Sequence, residues 1–272
     1  MTGFVRTAAE VAEIRDRMAE NRFLDARSVS VRYLTRPGVV EAVLPPGLEP
    51  TDDPVVEAEV VVVGESNCVG SFAGGGLYVQ ARHGDVVGQY CLAMPMSTDA
   101  AVRWGRDLFG EPKKRAAVRL EREGPTVAGS VARHGEDLLT VEATLERERD
   151  VDPATRTVFH YKALPDVTGR GFQFDPVLVR VDFESDLHRF ETGPGSVTLG
   201  RTAHDPWADL AVEEVRGAAY VEADLASNQT ELATVDPEAF APYGLARGAD
   251  DWLSPDTLPA DAASSGRTMD RM

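Results

Sequence analysis

Lysine is almost absent from this 272-residue chain. Of its 28 basic residues only Lys113, Lys114 and Lys162 are lysine; the rest are arginine. A site that keeps lysine against such a background is one where arginine does not serve equally well. Cysteine is nearly as scarce. Cys68 and Cys91 lie 23 positions apart, which is neither a disulfide framework nor a zinc spacing, and both sit in apolar, strand-like segments that suit buried, inert thiols. The five histidines are scattered and form no H-E-x-x-H pattern, so no metal is expected. Long apolar runs are missing too. A run such as Val60 to Val63 falls far short of the ~18 residues of a spanning helix. The N-terminus, MTGFVRTAAEVAEIRDRMAE, has no apolar core of a secretory signal, and the cytosol is the expected compartment. Positive charge is in deficit: 45 acidic residues against 28 basic ones leave a formal charge of −17. That balance opposes binding to nucleic acid or to an anionic membrane. No serine sits in G-x-S-x-G, which removes hydrolase elbow chemistry. Gly105 to Gly110 is followed by Glu-Pro-Lys-Lys and fails as a phosphate loop, and Gly74 to Gly76 lack dinucleotide spacing. No cofactor is expected.

What is present reads as a β-rich globular chain, with 43% hydrophobic and 27% charged residues. A T-x-x-E capping box at Thr7 and Glu10, with Ala8, Val11, Ile14 and Met18 on one face, predicts a helix over 7–20. Alternating or β-branched runs predict strands at 28–34, 55–63, 70–81 and 86–94. Cap residues Ser97 and Thr98 and a stop at Gly110-Glu111-Pro112 predict one mid-chain helix over 97–110. Three strands follow between 115 and 147, then strands at 177–184, 195–202 and 211–223, and a short helix at 237–243. The expected organisation is a helical extension (1–26), one domain (27–246) and a loose acidic tail (247–272). The fold class is α+β, mainly antiparallel β: a closed or cone-like barrel with a few flanking helices.

Two features carry possible chemistry. Glu57 and Glu59 lie two apart in a strand, so both carboxylates share one face, either solvated or turned into a cavity. Pro112-Lys113-Lys114 follows a helix, either as a solvated basic turn or as a reactive pair kept in spite of the arginine bias.

The segment GRDLFGEPKK (105–114) resembles the signature of the acetoacetate decarboxylase family, G-R-[DE]-x-x-x-x-P-K-K. Segments 33–50, 55–74, 160–166, 192–199 and 205–225 resemble further family segments in the same order, so that the resemblance covers roughly residues 27–245. It implies that Lys113 forms an imine with a small oxo acid, that Lys114 helps to keep the Lys113 amine neutral, and that Glu59 is an active-site glutamate. It also implies a homo-oligomer. Two positions depart from the pattern. The family's second glutamate falls on Gly74, with Glu65 the only nearby substitute. Its substrate-orienting arginine falls on Ala26, with Arg27 one residue away; Arg27 or Arg106 is the candidate for holding a substrate carboxylate.

The chemistry explains why lysine would persist. An iminium accepts the electron pair that a departing β-carboxylate leaves behind, and only a neutral amine can form it. A free lysine ammonium loses its proton near pH 10.4, so about one amine in 2,500 is ready at pH 7. Burial alone is able to close that gap, whereas a neighbouring ammonium closes only part of it. The implied function is a Schiff-base lyase that decarboxylates a β-keto acid. The departures at Gly74 and Ala26 raise the alternative of aldolase, dehydratase or cyclase chemistry on a 2-oxo acid through the same imine. A binding protein that kept the fold without catalysis is the remaining alternative.

Overall fold

In VVEAEVVVV (55–63) every second side chain faces the same way, and the two faces find different surroundings. Val56, Ala58 and Val60 are buried in the main apolar core, while Glu57 and Glu59 point the other way. This segment is the centre of a barrel wall. A computed structural model describes residues 3–202 and 204–248. Helix α1 (Ala8–Ala19) leads into β1 (Asn21–Leu34), α2 (Pro37–Val43), β2 (Glu49–Pro50), β3 (Val55–Ser66), β4 (Phe72–His83) and β5 (Val86–Met96). Helix α3 (Asp99–Trp104) runs into a π turn (Gly105–Phe109) and then β6 (Lys113–Arg115). A meander follows: β7 (Ala117–Glu123), β8 (Thr126–Arg133) and β9 (Glu136–Thr144), after which the short β10 (Arg147–Glu148) returns to the first sheet. The chain closes with β11 (Ala154–Lys162), β12 (Val177–Gly193), β13 (Gly195–Leu199), β14 (Glu214–Thr234) and α4 (Pro237–Gly248).

The large sheet runs β4-β3-β1-β14-β12-β11-β5, and β5 pairs back to β4, so seven strands close into a barrel. All neighbours are antiparallel except β5 and β11. Strand β6 adds to the free edge of β5 in parallel, setting Lys113 opposite Met94 and Lys114 opposite Pro95. A second sheet, β13-β9-β8-β7, packs on the wall. Contact is close there: a Cβ on Gly129 would lie 2.8 Å from Val60 Cβ and 3.0 Å from Val29 Cγ1. The core between the layers holds Val29, Val31 and Tyr33 from β1 with Val127, Val131, Leu139 and Val141 from the small sheet. The architecture is the β-rich barrel with flanking helices that the strand pattern predicts.

The structure differs from the sequence reading in particulars. The capping box at Thr7 and Glu10 forms in both directions, yet α1 buries none of its residues, and Ile14 is exposed. Strand β1 pairs with β14 from Asn21 onward, so the barrel takes in residues 21–26 that the sequence reading assigned to the helical extension. Helix α2, with Pro37 at its first turn, lies between the strands predicted at 28–34 and 55–63, where the sequence reading placed no helix. Strand β11 was not anticipated, and β12 and β14 continue about ten residues past their predicted ends. The predicted acidic tail falls outside the described residues from 249 onward. No helix among the described residues is long and apolar enough to cross a membrane.

Candidate active site

The approach to β6 is held by local rules. Thr98 caps α3, its hydroxyl accepting from the Ala101 amide at 3.2 Å. The π turn ends at Gly110, which has φ +73° and lies against the Tyr161 and Lys162 backbone. Only glycine meets both demands. Lys162 donates to the carbonyls of Asp107 and Leu108, both at 2.6 Å, and so satisfies the end of that turn. A three-residue turn at Glu111-Pro112-Lys113 follows, closed by the Lys113 amide donating to the Glu111 carbonyl at 2.7 Å, and it draws the residues on either side of Pro112 together.

Glu111 and Lys113 therefore meet: Lys113 Nζ lies 2.5 Å from Glu111 Oε2, and both residues are buried. His160 on β11 is 0% exposed, with Nε2 at 3.9 Å from Glu111 Oε1. Burial lifts the Glu111 carboxyl, but Lys113 and His160 together outweigh it, and the net direction is downward. Glu111 is an anion at neutral pH. Burial, reinforced by Lys113 and opposed by Glu111, pushes the His160 imidazole down to about 4, so it is neutral. Gly105, the first residue of the π turn, leaves the room for this group. A Cβ there would collide with Glu111 Oε2 and Lys113 Cδ, and would lie 2.6 Å from Lys113 Nζ.

Glu59 and Glu57 point to the same interior. Arg156, on β11 three strands round the wall, reaches Glu59 at 2.9 Å and Glu57 at 3.2 Å and donates to Gln89 at 2.6 Å. Its guanidinium lies 4.2 Å from the centre of the Tyr78 ring, a cation–π contact. Arg32, mostly exposed, reaches Glu57 from β1 at 2.5 Å. For Glu57, burial is again the largest influence and raises its carboxyl, but Arg156, Arg32 and Gln89 outweigh it. Tyr78, Cys91, Met94, Met96 and Val158 supply the apolar lining. The buried Cys91 thiol is within electrostatic reach of Glu111, Arg156, Lys113 and Glu59, so these groups gather round it in one part of the barrel interior. Burial pushes both cysteine thiols up, which keeps them protonated.

The other residues named from the sequence are placed elsewhere. Lys114 projects to the opposite side of β6, where Nζ donates to Asp205 at 3.0 Å and to the His204 carbonyl at 2.9 Å. Arg133 also donates to Asp205, at 2.9 Å. Lys114 thus fastens β6 to the 204–210 segment, while Lys113 meets Glu111. A cleft of about 290 Å³, lined by Leu77, Met94, Trp207 and Tyr243 among others, opens on this Lys114 side and not in the barrel chamber. Arg27 is exposed while Ala26 is buried, so strand alternation keeps Arg27 out of the interior. Arg106 is half-buried in the π turn. Gly74 pairs with Met96, and a Cβ at Gly74 would lie 2.7 Å from Met96 Cε: the thioether fills the place of the second glutamate. Glu65 is exposed and does not replace it. The sequence reading missed Glu111, His160 and Arg156.

The family model described as acetoacetate decarboxylase (ADC) matches residues 9–235. Among curated relatives, the acetoacetate decarboxylase of Ralstonia nicotianae is 27% identical over 217 residues, 78% of this chain and 87% of the relative. Among solved structures, acetoacetate decarboxylase from Legionella pneumophila is similar with a TM-score of 0.73 at 24% identity, covering 79% of this chain and 87% of that one. The enduracididine biosynthesis enzyme MppR complexed with pyruvate is similar with a TM-score of 0.69 at 19% identity, covering 79% and 91%. The barrel with β6 on its edge and the match over residues 9–235 lead to one conclusion: the chain belongs to the acetoacetate decarboxylase family of lyase-type enzymes.

Proposed function

We propose that this enzyme forms a Schiff base between Lys113 and a small oxo acid and cleaves the substrate through that imine. The observation that carries the reading is the buried contact between the Lys113 amine and the Glu111 carboxylate at 2.5 Å. An ion pair at that distance is one proton transfer away from a neutral amine and a neutral acid. Glu111 takes the proton, the freed lone pair attacks the ketone, and water leaves as the imine forms. The iminium then accepts the electron pair of the bond that breaks. Glu59, held across the barrel interior by Arg156 at 2.9 Å, orients the substrate there.

Decarboxylation of a β-keto acid is the reaction that the curated relatives' name supports. A second reading, aldol or dehydration chemistry on a 2-oxo acid, is favoured by two observations: Met96 fills the place of the second glutamate at Gly74, and Arg27 stays outside. Both positions concern a substrate carboxylate. The solved MppR complex with pyruvate supports the same alternative by its fold.

Borohydride reduction in the presence of acetoacetate or pyruvate, read by mass spectrometry, tests the imine. A stable adduct on Lys113 is expected, and none in Lys113→Arg, because a guanidinium stays charged. An adduct that persists in Lys113→Arg and vanishes in Lys114→Arg would move the chemistry to the other side of β6. Release of carbon dioxide from acetoacetate then separates the two reactions: turnover supports decarboxylation, and trapping without release supports the second reading.

A further inference from the structure

His160 is the polar group in the chamber that the imine chemistry leaves unused. Its ring is fully buried, and neither nitrogen has a hydrogen-bond partner. The charged groups acting on it are Glu111 and Lys113. Glu111 stands between the two, with Oε2 against the amine and Oε1 toward the imidazole. A neutral imidazole carries one acceptor nitrogen and one N–H donor. With the N–H on Nδ1, Nε2 is the acceptor, and it has nothing to accept from the Glu111 carboxylate 3.9 Å away. It gains a partner once that carboxylate carries a proton.

We infer that His160 is a positioning residue for the acid–base step at Lys113: its acceptor nitrogen holds the proton that Glu111 takes from the amine. This rests on the imine reading. An N–H bond of the Lys113 ammonium breaks and an O–H bond on Glu111 forms. Rotation of the carboxyl turns that hydroxyl from the amine to His160, to which it donates once the side chains close by about 1 Å, to hydrogen-bond distance. The amine lone pair forms the C–N bond and the carbonyl π pair moves to oxygen, which takes the proton back from Glu111. The nitrogen then passes its extra proton to Glu111. Glu111 delivers that proton to the hydroxyl, which leaves as water with the C–O pair while the nitrogen pair completes C=N. Glu111 ends as it began, and each time it is protonated His160 is the acceptor that keeps the proton off the amine.

The test compares wild type, His160→Gln and His160→Phe in borohydride trapping with acetoacetate from pH 5 to 9. Glutamine keeps an acceptor oxygen; phenylalanine has none. Trapping at pH 7 is expected to slow by roughly 10²-fold in His160→Phe, with its pH profile displaced to the alkaline side, and to recover at least partly in His160→Gln. A His160→Phe enzyme with the wild-type rate and profile overturns the inference while leaving the imine reading intact. A wild type that traps neither acetoacetate nor pyruvate overturns the imine reading and this role with it. Should His160→Phe fail to fold, ring-nitrogen resonances of the wild type decide, with His160 assigned by its loss in His160→Gln. The acceptor nitrogen is expected to move to a hydrogen-bonded position when acetoacetate is added, and an unmoved resonance overturns the role.

Discussion

Each of the three lysines ends at acceptors suited to a compact ammonium on a flexible stem. Lys113 meets one carboxylate oxygen in a chamber with little room, Lys114 meets a carboxylate and a carbonyl, and Lys162 meets two adjacent carbonyls at the end of a turn. A planar guanidinium is bulkier and fixed in a fork, so it fits none of these without rearrangement. The rarity of lysine was therefore informative at all three positions, though it distinguished no roles among them. Glu111 was not legible, because it meets Lys113 across a tight turn at Pro112 and not along a strand face. Nor were His160 and Arg156, because their partners lie about 50 and 100 positions away along the chain and only barrel closure brings them together. Gly105 shows the opposite situation: its place in the motif was visible, but the reason for it was not. Gly105→Ala sets a methyl group against Glu111 and the Lys113 stem. The expected outcome is a folded protein whose borohydride trapping at Lys113 falls by about tenfold or more, since displacing the amine by a fraction of an ångström suffices. Trapping at the wild-type rate would show that the chamber has slack at this point.

Among the elements, the α3–π turn–β6 unit positions the site, and its start and stop were written plainly as Thr98 and Gly110. The π register was not, since nothing in the sequence marks where one extra residue enters a turn. Strand β11 escaped because both of its faces are buried: Phe159 and Tyr161 pack into the main core while Val158 and His160 face the chamber. A strand buried on two sides shows no alternation. The outer halves of β12 and β14 escaped for the converse reason, their mixed and half-exposed side chains giving no apolar face to read. The element-scale prediction concerns Gly110. Gly110→Ala forces an L-residue to φ +73° and drives its Cβ into the Tyr161 carbonyl and the Lys162 backbone. The αL conformation alone costs about 1–2 kcal/mol, and the collision adds to it. A loss of more than about 2 kcal/mol in urea unfolding is expected. Gly124→Ala, at φ +59° with open space around its Cβ, serves as control and should lose only the conformational part.

At the scale of the whole molecule, a barrel wall that puts valine on one face and carboxylates on the other must balance charge inside. Glu57, Glu59 and Glu111 are met by Arg32, Arg156 and Lys113. On the other side of β6, Asp205 is met by Lys114 and Arg133. Burial alone would raise the Asp205 carboxyl, and the two cations bring it below its ordinary value. Carboxyls lowered in this way stabilise the fold fully above their ordinary values of 4.5 for Glu111 and 3.8 for Asp205, and the contribution is lost as pH falls toward their folded values. His160 acts in a higher window. Its folded value of about 4 lies below the ordinary 6.5, so below pH 6.5 the unfolded chain takes up a proton that the folded chain refuses. Stability therefore declines as pH falls from 6.5 toward 4, and this contribution is level above and below that range. At pH 5 the deficit is about 1.5 pH units, or roughly 2 kcal/mol. Urea unfolding at pH 7.5 and pH 5 reads it as a difference between proteins. Wild type should lose about 2 kcal/mol more than His160→Gln over that interval, while every other titrating group cancels in the comparison. Equal losses in the two proteins would mean that the imidazole takes up its proton inside the fold as readily as outside, which is incompatible with a sealed chamber around Glu111 and Lys113.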